Sequence, residues 1–301
     1  MAQLYLAPLE SITGFVFRNA YHKHINSKID KYFSPFISPN QNACITNRER
    51  KDILPENNEG INLVPQILTK DAHRFVDTAI ELQKYGYEEV NLNLGCPSPT
   101  VTTKKKGSGM LEDLKALEEF LDIIFDKCPV KVSIKTRLGI EKEEEWEPLY
   151  ELYKKYPMTE LIVHARLQQD FYGGKARSEA FEKISKESPF PLCYNGDIFT
   201  KADYDKIDCD RVMVGRGILR NPALSLELMG LKDTADFWGF HDELVESYCR
   251  ELSGDYPVIQ KMKELWSHMI TSFPEAEKEL KAIKKAKHRN EYEAAVMRLR
   301  S

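Results

Sequence analysis

The chain has 301 residues, 42% of them hydrophobic, and a formal net charge of −4, which suits one large barrel or two ordinary soluble domains. That charge excludes a polycation, so any grip on a phosphate backbone has to be local. No run approaches the roughly 18 to 20 apolar residues of a membrane helix, and Met1-Ala2-Gln3 leads into a strand-like segment without a basic leader, so a cytoplasmic protein with no membrane partner is expected. Six cysteines scattered without Cys-x-x-Cys or Cys/His spacing argue against structural zinc and against a disulfide framework, and no metal is expected.

In chain order, short apolar runs at 4–7, 32–36, 63–67, 89–94, 130–136, 161–164, 192–195 and 211–215 read as eight strands separated by helical patterns. The segment 71–85 has Asp71 to cap it, a stripe of Phe75, Val76, Ala79 and Leu82, and Gly86 to end it. Residues 111–126 repeat the pattern with Leu114, Leu117, Leu121 and Ile124. Eight such alternations, with strands apolar enough to be buried on both faces, predict a (β/α)8 TIM barrel over 1–233, with a doubly wound open sheet as the structural rival. Beyond Pro222 the strands stop, and 234–301 reads as a small all-helical C-terminal domain. Lys278, Lys281 and Lys285 share a helical face there, a basic stripe that is either solvated surface or a grip for a phosphate backbone.

The chemistry of such a barrel sits at the carboxyl ends of its strands, and these ends are polar: Gln66, Asn93, Lys135, His164 and Asn195. Alternation points Asn91 and Asn93 one way and Val90, Leu92 and Leu94 the other, and it aims Ser133, Lys135 and Arg137 at the barrel axis. Buried amides are costly unless hydrogen-bonded. Gly95 and Pro97 turn the chain around Cys96, whose thiol is either a small buried filler or a group held for chemistry. After the last two strands, Asn195-Gly196-Asp197 and Gly215-Arg216-Gly217 form a paired signature for a phosphate-bearing ligand.

With these residues assembled, the chain resembles the tRNA-dihydrouridine synthases, FMN-dependent barrel enzymes that reduce uridine in tRNA. The resemblance runs from Leu6-Ala7-Pro8-Leu9 and Phe17-Arg18 through Gln66, Asn91-Leu92-Asn93-Leu94-Gly95-Cys96-Pro97, Gly107-Ser108-Gly109 and Lys135-Thr136-Arg137-Leu138-Gly139. It ends at His164-Ala165-Arg166, Asn195-Gly196-Asp197 and Gly215-Arg216-Gly217. It implies hydride delivery from reduced flavin to C6 of uracil and protonation of C5 by Cys96 as general acid, a task for the neutral thiol. It implies that Lys135 sits by N1 and O2 of the flavin and that Gln66 and the Ala7-Pro8-Leu9 backbone hold its pyrimidine edge. His164 would flank the ring and phosphate side, with Asn195, Gly196, Asp197, Gly215 and Arg216 on the ribityl phosphate. Asn93, Arg137 and Arg166 would contact substrate, a uridine flipped out of its stack. NADPH is implied as reductant, bound transiently because no Gly-rich dinucleotide fingerprint is present; a monomer is expected. The family pattern Pro-Met-x-Gly-Val-Thr-Asp is replaced by Pro8-Leu9-Glu10-Ser11-Ile12-Thr13-Gly14, and Lys104, Lys105 and Lys106 lie in the loop after Cys96. A flavin barrel acting on a free pyrimidine is the rival activity, and a Schiff-base aldolase using Lys135 is a second.

Overall fold

The computed structural model describes residues 2–185 and 188–300. Its strands are β1 (Gln3–Leu6), β2 (Lys31–Phe33), β3 (Leu63–Val64), β4 (Gln66–Ile67), β5 (Glu89–Leu94), β6 (Lys131–Gly139), β7 (Leu161–Leu167), β8 (Leu192–Asn195) and β9 (Arg211–Val214). All pairings are parallel, in the order β3-β2-β1-β9-β8-β7-β6-β5-β4. The predicted third strand is split into β3 and β4 because Pro65, between them, has no N–H to give the ladder. Its carbonyl still accepts from Asn91 N at 2.9 Å, and Ile37 N donates to Gln66 O at 2.7 Å, so the two halves join both neighbours and the ring is that of a (β/α)8 TIM barrel.

The predicted alternation holds. Tyr5, Ala7, Phe33, Val64, Ile162, Cys193 and Met213 form a closed inner cluster, while Leu4, Leu6, Leu92, Ile134 and Val163 belong to the outer core against the helices. The lower end of the barrel is plugged by buried Glu160, which accepts from Tyr5 Oη at 2.9 Å and pairs with Arg211 at 3.2 Å. Outside the sheet lie α1 (Phe15–His24), α2 (Ala72–Lys84), α3 (Leu114–Lys127), α4 (Trp146–Tyr153) and α5 (Ser178–Ser185). Asp71 caps α2 by accepting from Arg74 N at 3.1 Å, and Gly86 ends it with φ +91°. α3 starts later than the apolar pattern suggests: Asp113 caps it by accepting from Ala116 N, residues 107–112 form a 3₁₀ turn, and Leu114 is exposed, not part of the buried stripe.

After β9 the short α6 (Arg216–Arg220) leads toward α7 (Phe237–Glu251), α8 (Asp255–Met269), α9 (Glu277–Lys285) and α10 (Arg289–Arg300). These C-terminal helices surround Trp266, Trp238, Phe237 and Phe273. Phe240 of α7 packs edge-on against Phe17 and Tyr21 of α1, so the helical part is seated on the barrel wall by apolar contact. Among the described residues no helix is long and apolar enough to cross a membrane.

Candidate active site

One cleft of about 220 Å³ opens at the carboxyl ends of the strands. Fourteen of the fifteen residues expected at a site line it: Ala7, Pro8 and Leu9 from β1 and its loop, Gln66 from β4, Asn93 and Cys96 from β5 and its turn, Lys135 and Arg137 from β6, His164 and Arg166 from β7, Asn195 and Gly196 from β8, and Gly215 and Arg216 from β9. Asp197 is the exception. Its carboxylate pairs with Arg166 and, at 2.9 Å, with Arg216, and it accepts from Ala176 N, which makes it a brace behind the cleft.

The amides of the inner wall satisfy one another. Gln66 Nε2 donates to Asn91 Oδ1 at 2.8 Å, Asn91 Nδ2 donates to Ser133 Oγ at 3.0 Å, and Asn93 Nδ2 donates to Gln66 Oε1 at 2.6 Å. Asn93 Oδ1 accepts from Gly95 N at 3.0 Å and Cys96 N at 2.9 Å, so this asparagine fixes the turn that presents the thiol and keeps one N–H for the cleft. Cys96 O is held in turn by Ser108 N at 3.1 Å and Ser108 Oγ at 2.9 Å. Gly107 has φ +57°, and a Cβ there would meet Cys96 O at 2.8 Å, so the Gly107-Ser108-Gly109 segment can close on the cysteine only without a side chain at 107. Burial pushes the half-buried Cys96 thiol up; Glu10 adds to this, and the Ser98 N–H, Arg137 and Lys135 only partly oppose it. The thiol is neutral at pH 7.

Lys135 points into the cleft and makes no hydrogen bond or salt bridge among the described residues. Burial, with Arg137 beside it, lowers its ammonium to about 8. Burial also holds His164 well below the usual imidazole value, reinforced by Arg137, Lys135, Arg166 and Arg216. Because Arg166 has only donors and its Nη1 lies 3.3 Å from His164 Nε2, the neutral ring accepts there and carries its proton on Nδ1. Arg137 Nε donates to Gly95 O and Nη1 to Leu167 O, both at 2.8 Å, tying the cysteine turn to the end of β7. Arg166 is largely spent on Gly173 O at 3.1 Å, Gly174 O at 2.8 Å and Asp197, and so orders the loop after β7. Tyr172 of that loop has the Arg137 and Arg216 guanidinium groups 5.6 and 5.3 Å from its ring centre. Arg216 at the start of α6 also donates to Tyr172 O at 3.0 Å and lies 5.7 Å from the Phe199 ring centre. Gly217 permits the close approach of α6 to the loop after β8, since a Cβ there would collide with Ile198 O. The result is a cleft with four cationic side chains and Glu10 on its lining, an environment that favours negative charge.

The family described as Dihydrouridine synthase (Dus) matches residues 5–299. The chain belongs to this dihydrouridine synthase family. It is similar to the tRNA-dihydrouridine synthase B of Pasteurella multocida, 28% identical over 227 residues covering 74% of this chain and 67% of the relative. It is 27% identical over 237 residues to the tRNA-dihydrouridine(16) synthase of Vibrio parahaemolyticus, covering 75% and 73%. Among solved structures, a dihydrodipicolinate synthase family protein from Coccidioides immitis superposes with a TM-score of 0.51 at 10% identity over 98% of this chain and 92% of that one, a likeness of barrel fold alone.

In this member of the dihydrouridine synthase family, sequence reasoning missed Phe36, Phe171, Tyr172, Ile198 and Phe199, which also line the cleft. The available signal was an aromatic pair, Phe171-Tyr172, in the loop directly beyond His164-Ala165-Arg166. The basic stripe on α9 is solvent-facing, and within it Lys281 pairs with Glu277 at 3.5 Å. In the loop after Cys96, Lys105 pairs with Glu112, Lys106 Nζ donates to Ser38 Oγ at 3.2 Å, and Lys104 is exposed.

Proposed function

We propose that the protein reduces uridine in tRNA to 5,6-dihydrouridine with FMN as cofactor and NADPH as the transient reductant. The observation that carries this reading is the meeting, in one cleft of a family member, of the Cys96 thiol, which burial keeps protonated, and a half-buried Lys135 ammonium that makes no hydrogen bond or salt bridge among the described residues. A cation partly withdrawn from water without a partner is costly, so the cleft suits a ligand that brings the missing acceptor. The residues fit FMN. Lys135 would meet the N1 and O2 edge, while the free N–H of Gln66 and the Ala7-Pro8-Leu9 backbone would take the pyrimidine edge. His164 Nδ1–H would donate on the phosphate side, where Gly196, Gly215 and Arg216 would receive the phosphate, with Asn195 beneath them and Asp197 fixing Arg216.

When bound, the reduced cofactor supplies a hydride to C6 of the uracil ring. The chain's own residues do the rest. Asn93 and Arg137 hold the Cys96 turn at fixed height over the barrel. Cys96 keeps its proton at pH 7 and donates it to C5. The cationic side chains of Lys135, Arg137 and Arg216 favour the negative charge that develops on substrate. Phe171 and Tyr172, 47% and 49% exposed at the mouth, offer faces on which a flipped base can stack. The helical segment 234–301, with the basic face of α9, is assigned to tRNA recognition, and the chain is assigned to act as a cytoplasmic monomer.

The absorption spectrum of the purified protein tests this. Flavin bands, or their shift when FMN is added to flavin-free protein, are expected. A colourless protein that does not take up FMN, but whose Lys135 is trapped by borohydride with a carbonyl substrate, would favour an aldolase instead.

A further inference from the structure

The turn after β1 places Leu9 and Glu10 on the cleft wall and holds a backbone conformation that its own sequence disfavours. Leu9 O accepts from Ile12 N at 3.1 Å and Thr13 N at 3.0 Å, and Leu9 N donates to Thr13 Oγ1 at 2.8 Å, closing residues 9–13 into a compact turn. Within it Ser11 has φ +65°. A residue with a Cβ populates that region roughly tenfold less readily than glycine does, so something outside the turn must hold it.

Two groups of α8 meet Ser11 there. Its hydroxyl donates to Glu264 Oε1 at 2.7 Å, and Lys261 Nζ donates to its carbonyl oxygen at 2.5 Å. Lys261 and Glu264 lie three residues apart on one helical face and pair with each other at 3.4 Å, completing a closed triangle. Neither lines the cleft.

We propose that Lys261 and Glu264 are positioning residues that keep Ser11 in its left-handed conformation and, through it, fix the wall formed by Pro8, Leu9 and Glu10. The helical C-terminal part thereby sets the affinity of the cleft for its cofactor. This rests on the assignment of the cleft to FMN. The clamp acts through Ser11 alone, so a glycine at that position removes the need for it.

The test is titration of the flavin-free full chain with FMN, read by quenching of flavin fluorescence. Lys261→Ala/Glu264→Ala is expected to raise the dissociation constant roughly tenfold. Ser11→Gly alone is expected to match wild type, and adding Ser11→Gly to the double variant is expected to restore wild-type affinity. Should the double variant not fold, Glu264→Ala alone, with and without Ser11→Gly, carries the same comparison. Unchanged affinity on loss of the clamp, or a loss that Ser11→Gly does not rescue, overturns the proposal while leaving the FMN assignment intact. A wild-type chain that does not bind FMN overturns both.

Discussion

Replacing Cys96 by alanine is expected to lower dihydrouridine formation about 10²- to 10⁴-fold, the usual contribution of a positioned general acid, while FMN and tRNA binding stay at wild-type levels. The expectation follows from how the thiol is held. Its backbone N–H is taken by Asn93 and its carbonyl by Ser108, so the turn is held through main-chain atoms that alanine keeps. Burial keeps it protonated at pH 7, the form required of a proton donor and the wrong form for a nucleophile. Flavin spectra, tRNA binding and dihydrouridine content of the variant separate the role in chemistry from a role in assembly. Wild-type turnover by Cys96→Ala would remove the cysteine from the reaction.

Lys135→Met is expected to move activity and stability in opposite directions. Loss of the cation that faces the cofactor should lower turnover about 10²- to 10³-fold, the scale seen when a preorganised electrostatic group is removed. The flavin-free variant should nevertheless melt at a higher temperature than wild type at pH 7, because methionine fills similar space without a charge that lacks a partner among the described residues. The sign follows from linkage. The folded-state pKa of Lys135, about 8, lies below the ordinary lysine value of 10.5. Below pH 8 the ammonium is charged in both states and its full cost falls on the fold. Between pH 8 and 10.5 the unfolded chain binds the extra proton, so wild-type stability rises relative to the variant and the gap closes. Thermal melts of both proteins at pH 7 and pH 10 check this. A variant less stable than wild type at pH 7 would mean that the ammonium has a partner in the folded protein.

Much of the site was legible because strand alternation is a strict rule. Once the strands were placed, Asn91, Asn93, Lys135, Arg137, His164 and Arg166 had to face the barrel axis, and they do. What escaped was decided by contacts between segments. Asp197 sits in a turn that reads as part of a phosphate site, but two guanidinium groups and the Ala176 N–H claim its carboxylate, which no local pattern records. Tyr172 and Phe199 enter the cleft from loops, where no periodicity sets the direction of a side chain. Leu114 fits the apolar spacing of its helix yet lies outside the buried stripe, because Asp113 starts the helix after a 3₁₀ turn. The clamp on Ser11 joins positions 250 and 253 residues apart, beyond the reach of any motif.

Reduction of tRNA is tested by incubating the FMN-loaded protein with NADPH and unmodified tRNA, then digesting the RNA and quantifying dihydrouridine, with free uridine and uracil as parallel substrates. Dihydrouridine in the tRNA and no reduction of the free pyrimidines are expected. A flavin-loaded, NADPH-reducible protein that leaves tRNA unchanged, or that reduces the free pyrimidine instead, would contradict the proposed function.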